Sequence, residues 1–108
     1  MTSDLKKQIV QRLTRDMLDL QLLRLIDVEP TWGYKIKKSV ESNLDNKLRH
    51  GALYPTLNAM EQEGLVASQR QQQSGRARKI YSLTPKGKEF LDAYYSVLKD
   101  QLKGKTRV

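Results

Sequence analysis

The sequence predicts a single, mainly α-helical domain that carries one two-stranded β-hairpin. Apolar residues recur at helical spacing between Leu5 and Val28, with no glycine or proline among them. A second helical stretch is bounded by Gly51 and Gly64, and two extended runs flank a turn at Gln73–Arg76. At 108 residues the chain can bury roughly two-thirds of its unfolded surface in one core, which favours one domain over residues 1–108.

The N-terminal helical region, residues 1–27, is long enough for one helix or for two abutting helices. Thr14 is a candidate N-cap for a second segment, because a threonine hydroxyl can accept a hydrogen bond from the next helical turn. The segment from Leu18 to Ile26 is apolar on more than one side, so we expect it at the centre of the core. Glu29-Pro30 ends the region, because proline disfavours the helical conformation of the residue before it.

A second helix is predicted from Trp32 to Asn43, with Thr31 as its N-cap. Its apolar residues recur every four positions and predict a buried stripe of Ile36, Val40 and Leu44. A polar connection follows and ends at His50.

The third helix is predicted to begin near Gly51 and to stop at Gly64, which suits the left-handed residue after a helix. Pro55 must then lie in or near the first turn, where a missing N–H costs least. The predicted buried face consists of Leu53, Leu57 and Met60. The opposite face is modestly polar and carries no lysine or arginine.

Leu65–Gln72 and Ala77–Leu83 are predicted to form the two strands of the hairpin. Thr84-Pro85 is a strong helix start, with a capping hydroxyl followed by proline at the first helical position. The last helix is therefore predicted over residues 85–103.

The predicted order, helix, helix, helix, hairpin and helix, is that of a winged helix-turn-helix, with residues 32–83 forming the helix-turn-helix and the wing. In such a fold the third helix enters the DNA groove. The formal net charge is +8, and the stretch from Gly64 to Lys88 has six basic residues and no acidic one. These six are Arg70, Arg76, Arg78, Lys79, Lys86 and Lys88. An acid-free basic hairpin predicts contacts with the backbone of double-stranded DNA.

The composition argues against catalysis, a cofactor or a bound metal. The chain has no cysteine, which excludes disulfides, cysteine zinc sites and thiol nucleophiles. Its one histidine, His50, has no second histidine or cysteine with which to complete a site. The glycines are scattered and form no phosphate-binding loop. No stretch is apolar enough to cross a membrane, and we expect a cytoplasmic protein that is not an enzyme.

Two groups of side chains are candidates for contacts with DNA. On the third helix, Asn58 and Gln62 carry amides that can bond a base edge in two places, and Tyr54 can reach a phosphate. Ordinary solvated helix surface is the alternative explanation for Asn58 and Gln62, and structural packing over the first turn is the alternative for Tyr54. The wing and its flanks supply the basic group, which consists of Arg49, His50, Arg70, Arg76, Arg78 and Lys79.

Four motifs in order make the chain resemble the PadR family of transcriptional regulators. They are Gly33-Tyr34, the stretch Gly51–Pro55, the stretch Glu61–Leu65 and the stretch Arg78–Gly87. The resemblance implies a winged helix-turn-helix that dimerises through its terminal helices and binds operator DNA. It also implies that Tyr54, Pro55, Asn58 and the wing face DNA, and that the chain is of the short type with one C-terminal helix.

The terminal helices carry the predicted dimer interface, because an isolated terminal helix would leave its apolar residues exposed. These residues are Leu5, Ile9, Leu13, Phe90, Leu91, Tyr94, Tyr95, Leu98 and Leu102. Some relatives bind planar aromatic compounds between protomers, and on that resemblance Trp32, Tyr94 and Tyr95 are candidates for a small aromatic effector site. Packing within the core or the dimer is the alternative explanation for these aromatic residues.

These observations together predict a homodimeric, sequence-specific regulator of transcription. The role that we expect first is that of a repressor at a pseudo-palindromic operator. One alternative is an architectural or plasmid-partition protein that coats DNA, because a reading helix without lysine or arginine would suit lower specificity. The other is a winged-helix adaptor whose basic hairpin contacts an acidic protein.

Overall fold

A computed structural model describes residues 2–43, 51–73 and 75–104 of the chain. The elements in order are α1 (Thr2–Asp16), α2 (Leu18–Val28), β1 (Thr31–Trp32), α3 (Gly33–Asn43), α4 (Leu53–Gln62), β2 (Val66–Gln73), β3 (Arg76–Leu83) and α5 (Pro85–Leu102). The strands form one antiparallel sheet in the order β1-β3-β2. None of the described helices is both long and apolar enough to cross a membrane.

The core is built around α2, which packs against α3, α4, α5 and β3. Leu22 and Leu23 of this helix are completely buried, as are Leu57 of α4 and Leu91 of α5. The apolar segment from Leu18 to Ile26 therefore lies in the centre of the molecule, as its composition predicts.

The N-terminal region forms two helices that meet at Met17, whose backbone leaves the helical conformation at φ −131° and ψ 46°. The prediction that Thr14 caps the second helix was wrong. Its hydroxyl donates to the carbonyl oxygen of Val10 at 2.9 Å, one turn back within α1, and the side chain is buried. A threonine inside a helix satisfies its hydroxyl in this way, so it did not mark a helix start.

Thr31 and Trp32 belong to a short strand, so Thr31 as an N-cap and Trp32 as the first helical residue were both wrong. Thr31 pairs with Tyr81 and Trp32 pairs with Ile80. The sheet therefore has a third strand beside the two predicted strands of the wing. Helix α3 begins at Gly33, and its Ile36 is buried as predicted. The side chain of Val40, and Leu44 altogether, lie outside what the structure describes.

Helix α4 ends in a Schellman arrangement around Gly64, which has the predicted left-handed conformation at φ +79°. The N–H of Gly64 donates to the carbonyl oxygen of Glu61 at 3.0 Å, and that of Leu65 to Met60 at 2.9 Å. The end of the helix therefore leads directly into β2. At its other end, Pro55 is the third residue of α4 and lies in the first turn, as predicted.

The start of α5 is joined to the end of α4 by side-chain and backbone contacts. The Thr84 hydroxyl accepts from the N–H of Gly87 at 3.0 Å and donates to the carbonyl oxygen of Gly64 at 2.5 Å. Gly87 lies so close to Leu65 that an added Cβ would be 2.0 Å from the Leu65 carbonyl oxygen. Thr84 is thus the predicted cap of α5 and also a link between two elements.

Candidate nucleic-acid interface

Helix α4 presents an exposed polar stripe opposite its buried face. Tyr54, Asn58 and Gln62 recur every four residues and are all exposed. Leu53, Leu57 and Met60 face the core with 2% exposure or less. The predicted buried face is therefore correct, and the three polar side chains can reach a common ligand.

Pro55, the remaining candidate on α4, is also exposed but lies on the side of the helix that faces α1 and α2. It lines a shallow depression of about 460 Å³ with Ala59 and Glu63, across from Arg15 and Asp19. The first turn of α4 therefore has α1 and α2 on one side and the wing on the other. This position favours Pro55 as a residue that shapes the start of the helix.

The wing is a regular hairpin of two eight-residue strands, β2 and β3. Its register places Arg70 directly opposite Lys79 and Gln71 opposite Arg78. Both Arg70 and Lys79 are exposed, and neither has an ion pair with any residue that the structure describes. Two like charges in directly opposed positions of a sheet destabilise it. A bound anion would therefore reduce the repulsion between Arg70 and Lys79.

Arg78 is half-buried and stacks on the indole ring of Trp32, with 5.3 Å between the guanidinium carbon and the ring centroid. The contact follows from the register, since Trp32 pairs with Ile80 and Arg78 precedes Ile80 by two residues on the same face. Sequence reasoning missed this contact because it placed Trp32 on a helix. This cation–π contact links the outer half of β3 to β1.

Two of the six basic residues turn away from the wing. Lys86 donates to the carbonyl oxygen of Glu63 at 2.8 Å. Lys88 lies 3.4 Å from a carboxylate oxygen of Asp27 and 3.5 Å from one of Asp92. The hydrogen bond and charge of Asp27, with the charge of Asp92, raise the pKa of Lys88. Of these six basic residues, Arg70, Arg76, Arg78 and Lys79 therefore remain available to a partner.

Tyr54 is held against the start of α3 by close contact with Gly33. A Cβ added to Gly33 would lie 2.7 Å from Cε1 of the Tyr54 ring, so only glycine leaves room for it. The ring is nevertheless 49% exposed. Two of the sequence motifs, Gly33-Tyr34 and Gly51–Pro55, therefore meet in space. Tyr54 lies at the edge of the candidate interface, against the start of α3.

The inner end of the wing is attached to α4 by Ser68, whose hydroxyl donates to the Glu61 carboxylate at 2.7 Å. Tyr81 lies nearby and is buried. Burial raises the pKa of the Tyr81 hydroxyl, and the negative charge of Glu61 raises it further. The phenol is therefore neutral at neutral pH. Glu61, the first residue of the motif Glu61–Leu65, therefore links the wing to α4.

The remaining candidates are dispersed. Arg49 and His50 lie outside the described residues. Trp32 lines a cleft beside the wing whose lining does not include Tyr94 or Tyr95. Those two tyrosines lie on α5 with their ring centroids 5.7 Å apart and pack against the core.

The predicted dimer interface needs one correction. Leu91 is completely buried within the protomer and belongs to the core, because the inner face of α5 packs on α2. Tyr94 and Tyr95 are partly buried. The clearly exposed apolar residues of the terminal helices are Leu5, Ile9, Phe90, Leu98 and Leu102, to which Val97 is added. Leu13 is half-buried.

The three helices, the exposed polar face of α4 and the basic hairpin that follows it define a winged helix-turn-helix protein. A model of the PadR-like family of transcriptional regulators matches residues 22–93. The chain therefore belongs to this family, which comprises DNA-binding regulators and not enzymes. The family resemblance and the fold class predicted from the sequence are both confirmed.

Similar proteins agree with this assignment. A PadR family transcription regulator from Clostridium difficile is 31% identical, with a TM-score of 0.72 over 79% of this chain and 90% of that one. A PadR family transcriptional regulator from Eggerthella lenta is 28% identical, with a TM-score of 0.69 over 95% and 93% of the two chains. Transcriptional regulator Rv3488 of Mycobacterium tuberculosis is 46% identical over 41 residues, a match that spans 38% of that protein's length.

Proposed function

We propose that the chain is a homodimeric repressor that binds a pseudo-palindromic operator through α4 and the wing. The observation that carries the proposal is the exposed like-charged pair of Arg70 and Lys79 in a hairpin with no acidic residue. Such a pair costs stability in the free protein, and neighbouring phosphates would compensate it. The wing is therefore suited to a polyanionic partner.

The two parts of the interface have different tasks in this proposal. Asn58 and Gln62 on α4 contact base edges in the major groove, where amides can bond adenine in two places. Tyr54 and Pro55 lie at the start of the same helix, where Tyr54 contacts the backbone. Because α4 carries no lysine or arginine, the wing supplies most of the electrostatic attraction. Specificity and general affinity therefore depend on different residues.

The double substitution of Arg70→Gln and Lys79→Gln tests the electrostatic part. We expect affinity to fall equally on operator and random DNA. The magnitude of the slope of log K against log salt should fall by about 3.6, since the dimer loses four phosphate contacts and each contributes about 0.9. The stability of the free protein should stay the same or rise by up to about 1 kcal/mol, because a repulsive cross-strand pair is removed. Binding titrations over a salt series and urea unfolding measure the two effects.

The matched control replaces Lys99 and Lys103 of α5 by glutamine, which removes the same net charge away from the wing. It should leave the salt slope unchanged. A loss of stability in the wing variant with an unchanged slope would show that the two cations serve the fold and not DNA. A footprint that lengthens with the DNA fragment, in place of a discrete one, would indicate a DNA-coating protein.

A further inference from the structure

The register of the sheet sorts the side chains of the wing onto two faces. Residues directly opposite each other in antiparallel strands share a face, and successive residues of one strand alternate between faces. The inner face begins with Val66 and Leu83, which pack in the core, and continues outward through Ser68 and its partner Tyr81. Beyond that row it carries four exposed side chains, which are Arg70, Lys79, Gln72 and Ala77.

The row of Ser68 and Tyr81 is the outermost row of the inner face that is shielded from solvent. Tyr81 is buried, and on its other side it pairs with Thr31 of β1. Strand β1 ends one residue later, so the rest of the wing is a two-stranded ribbon, which is only marginally stable by itself. On the outer face, the stack of Arg78 on Trp32 links this ribbon to β1. A contact that orients the ribbon relative to α4 must therefore lie on the inner face.

A side-chain hydrogen bond between the wing and the reading helix α4 lies at this row. The Ser68 hydroxyl donates to a carboxylate oxygen of Glu61 at 2.7 Å, and both side chains are half-buried. A hydrogen bond to an ionised group is stronger than one between neutral groups. It joins the point where the wing leaves the core to the helix that carries Asn58 and Gln62.

The same bond determines where a negative charge of the reading helix lies. Glu61 directly precedes Gln62 of the exposed stripe, and a carboxylate that turned toward DNA there would repel phosphates. The Ser68 hydroxyl holds the Glu61 carboxylate on the side of the sheet. Loss of the hydroxyl would release the wing and the carboxylate together.

We propose that Ser68 and Glu61 are positioning residues for DNA binding. Their hydrogen bond holds the wing at the angle to α4 at which Arg70 and Lys79 reach phosphates while α4 lies in the groove. An interface that has this angle before DNA arrives binds more tightly, because less freedom is lost on binding. The effect on DNA rests on the proposed function, whereas the effect on the orientation of the wing does not.

Ser68→Ala tests the proposal, because it removes the bond without changing any charge of the protein. We expect affinity for a random-sequence DNA duplex to fall about ten-fold, since a hydrogen bond to a charged group is lost. The magnitude of the slope of log K against log salt should fall by about 1.8, because each protomer of the dimer loses one phosphate contact of about 0.9. NMR order parameters of the Gln71 and Lys79 amides should fall in the protein without DNA.

Two variants serve as controls for Ser68→Ala. Ser68→Thr keeps the hydroxyl and should restore the affinity, the salt slope and the order parameters. Ser82→Ala makes the same change on the outer face of the neighbouring strand and should leave all three measurements at their wild-type values. A purely structural effect of a smaller side chain in the sheet would appear in Ser82→Ala as well.

Glu61→Ala removes the same bond from the side of the helix. It should lower the order parameters of the wing as Ser68→Ala does, and it decides the question if Ser68→Ala does not fold. Adding Ser68→Ala to Glu61→Ala should cost no further affinity, because the bond is already absent.

Three results would overturn the proposal. They are a wild-type salt slope in Ser68→Ala, equal losses in Ser68→Ala and Ser68→Thr, and a further loss when Ser68→Ala is added to Glu61→Ala. If the wild type bound no duplex at all, the proposed function would fail. The order parameters would still decide whether the bond holds the wing.

Discussion

Asn58 lies in the middle of the exposed stripe of α4, one helical turn from Tyr54 and one from Gln62. Its side chain is exposed and does not contribute to the buried face of Leu53, Leu57 and Met60. A carboxamide at such a position can donate and accept at once, which matches the edge of adenine in the major groove. At the residue scale, Asn58 is therefore the strongest candidate for base readout.

Replacing Asn58 by alanine should reduce specificity more than general affinity. We expect operator binding to weaken by about 1–3 kcal/mol, the range for a bidentate contact to a base, while binding to scrambled DNA stays the same. Titrations of both DNAs at one salt concentration measure the difference. Gln11→Ala, an exposed amide on α1, serves as the control and should affect neither. Equal losses on both DNAs would assign Asn58 to the helix surface alone.

At the scale of elements, the structure depends on a joint between the end of α4 and the start of α5. Gly64, Leu65, Thr84 and Gly87 contact one another there through hydrogen bonds and close backbone approach. The reading helix and both strands of the wing meet at this joint, so its geometry sets their relative orientation. The motifs Glu61–Leu65 and Arg78–Gly87 both end in these residues. The contact at the joint therefore accounts for where each motif ends.

Gly87→Ala should destabilise the fold, because the new Cβ would meet a backbone carbonyl oxygen that cannot turn away. We expect a loss of about 1–3 kcal/mol, the usual effect of overpacking, measured as a lower urea midpoint at unchanged m-value. Gly51→Ala is the matched control, because no atom of the described residues lies within 4 Å of its Cβ position. It should be neutral or slightly stabilising. If both variants had equal stability, the close approach at Gly87 would not be structurally important.

The same elements show why sequence reasoning succeeded in some places and failed in others. The ends of α4 and α5 were predictable because Gly64 and Thr84-Pro85 act through residues a few positions away. Strand β1 was not, because Thr31 has the same local signal as an N-cap. What decides its structure is pairing with Tyr81, fifty residues further along the chain. The Trp32–Arg78 stack and the cleft depend on that strand and were missed with it.

At the scale of the whole molecule, the terminal helices leave apolar residues in solvent. Leu5 and Ile9 on α1 are 60% and 57% exposed, and Leu102 on α5 is 88% exposed. The packing of α1 within the protomer is mainly on α2. Exposed apolar residues at helical spacing on such a helix indicate a surface that a second copy would cover. A two-fold dimer formed there would present two copies of α4 to one face of DNA, with half-sites about 34–36 Å apart.

Ile9→Glu tests this dimer, because a carboxylate at the centre of the α1 stripe would be buried without a partner. We expect a monomer by sedimentation velocity at micromolar concentrations, with an unchanged circular dichroism spectrum, since the side chain contributes little to the protomer core. The monomer should also protect a single half-site and bind the operator at least about ten-fold more weakly, because it loses the second contact. Val28→Glu, at an apolar position that is 82% exposed at the end of α2, should leave the dimer intact. If Ile9→Glu remained dimeric with full operator affinity, α1 would lie outside the interface, and the association would have to be assigned to α5 alone.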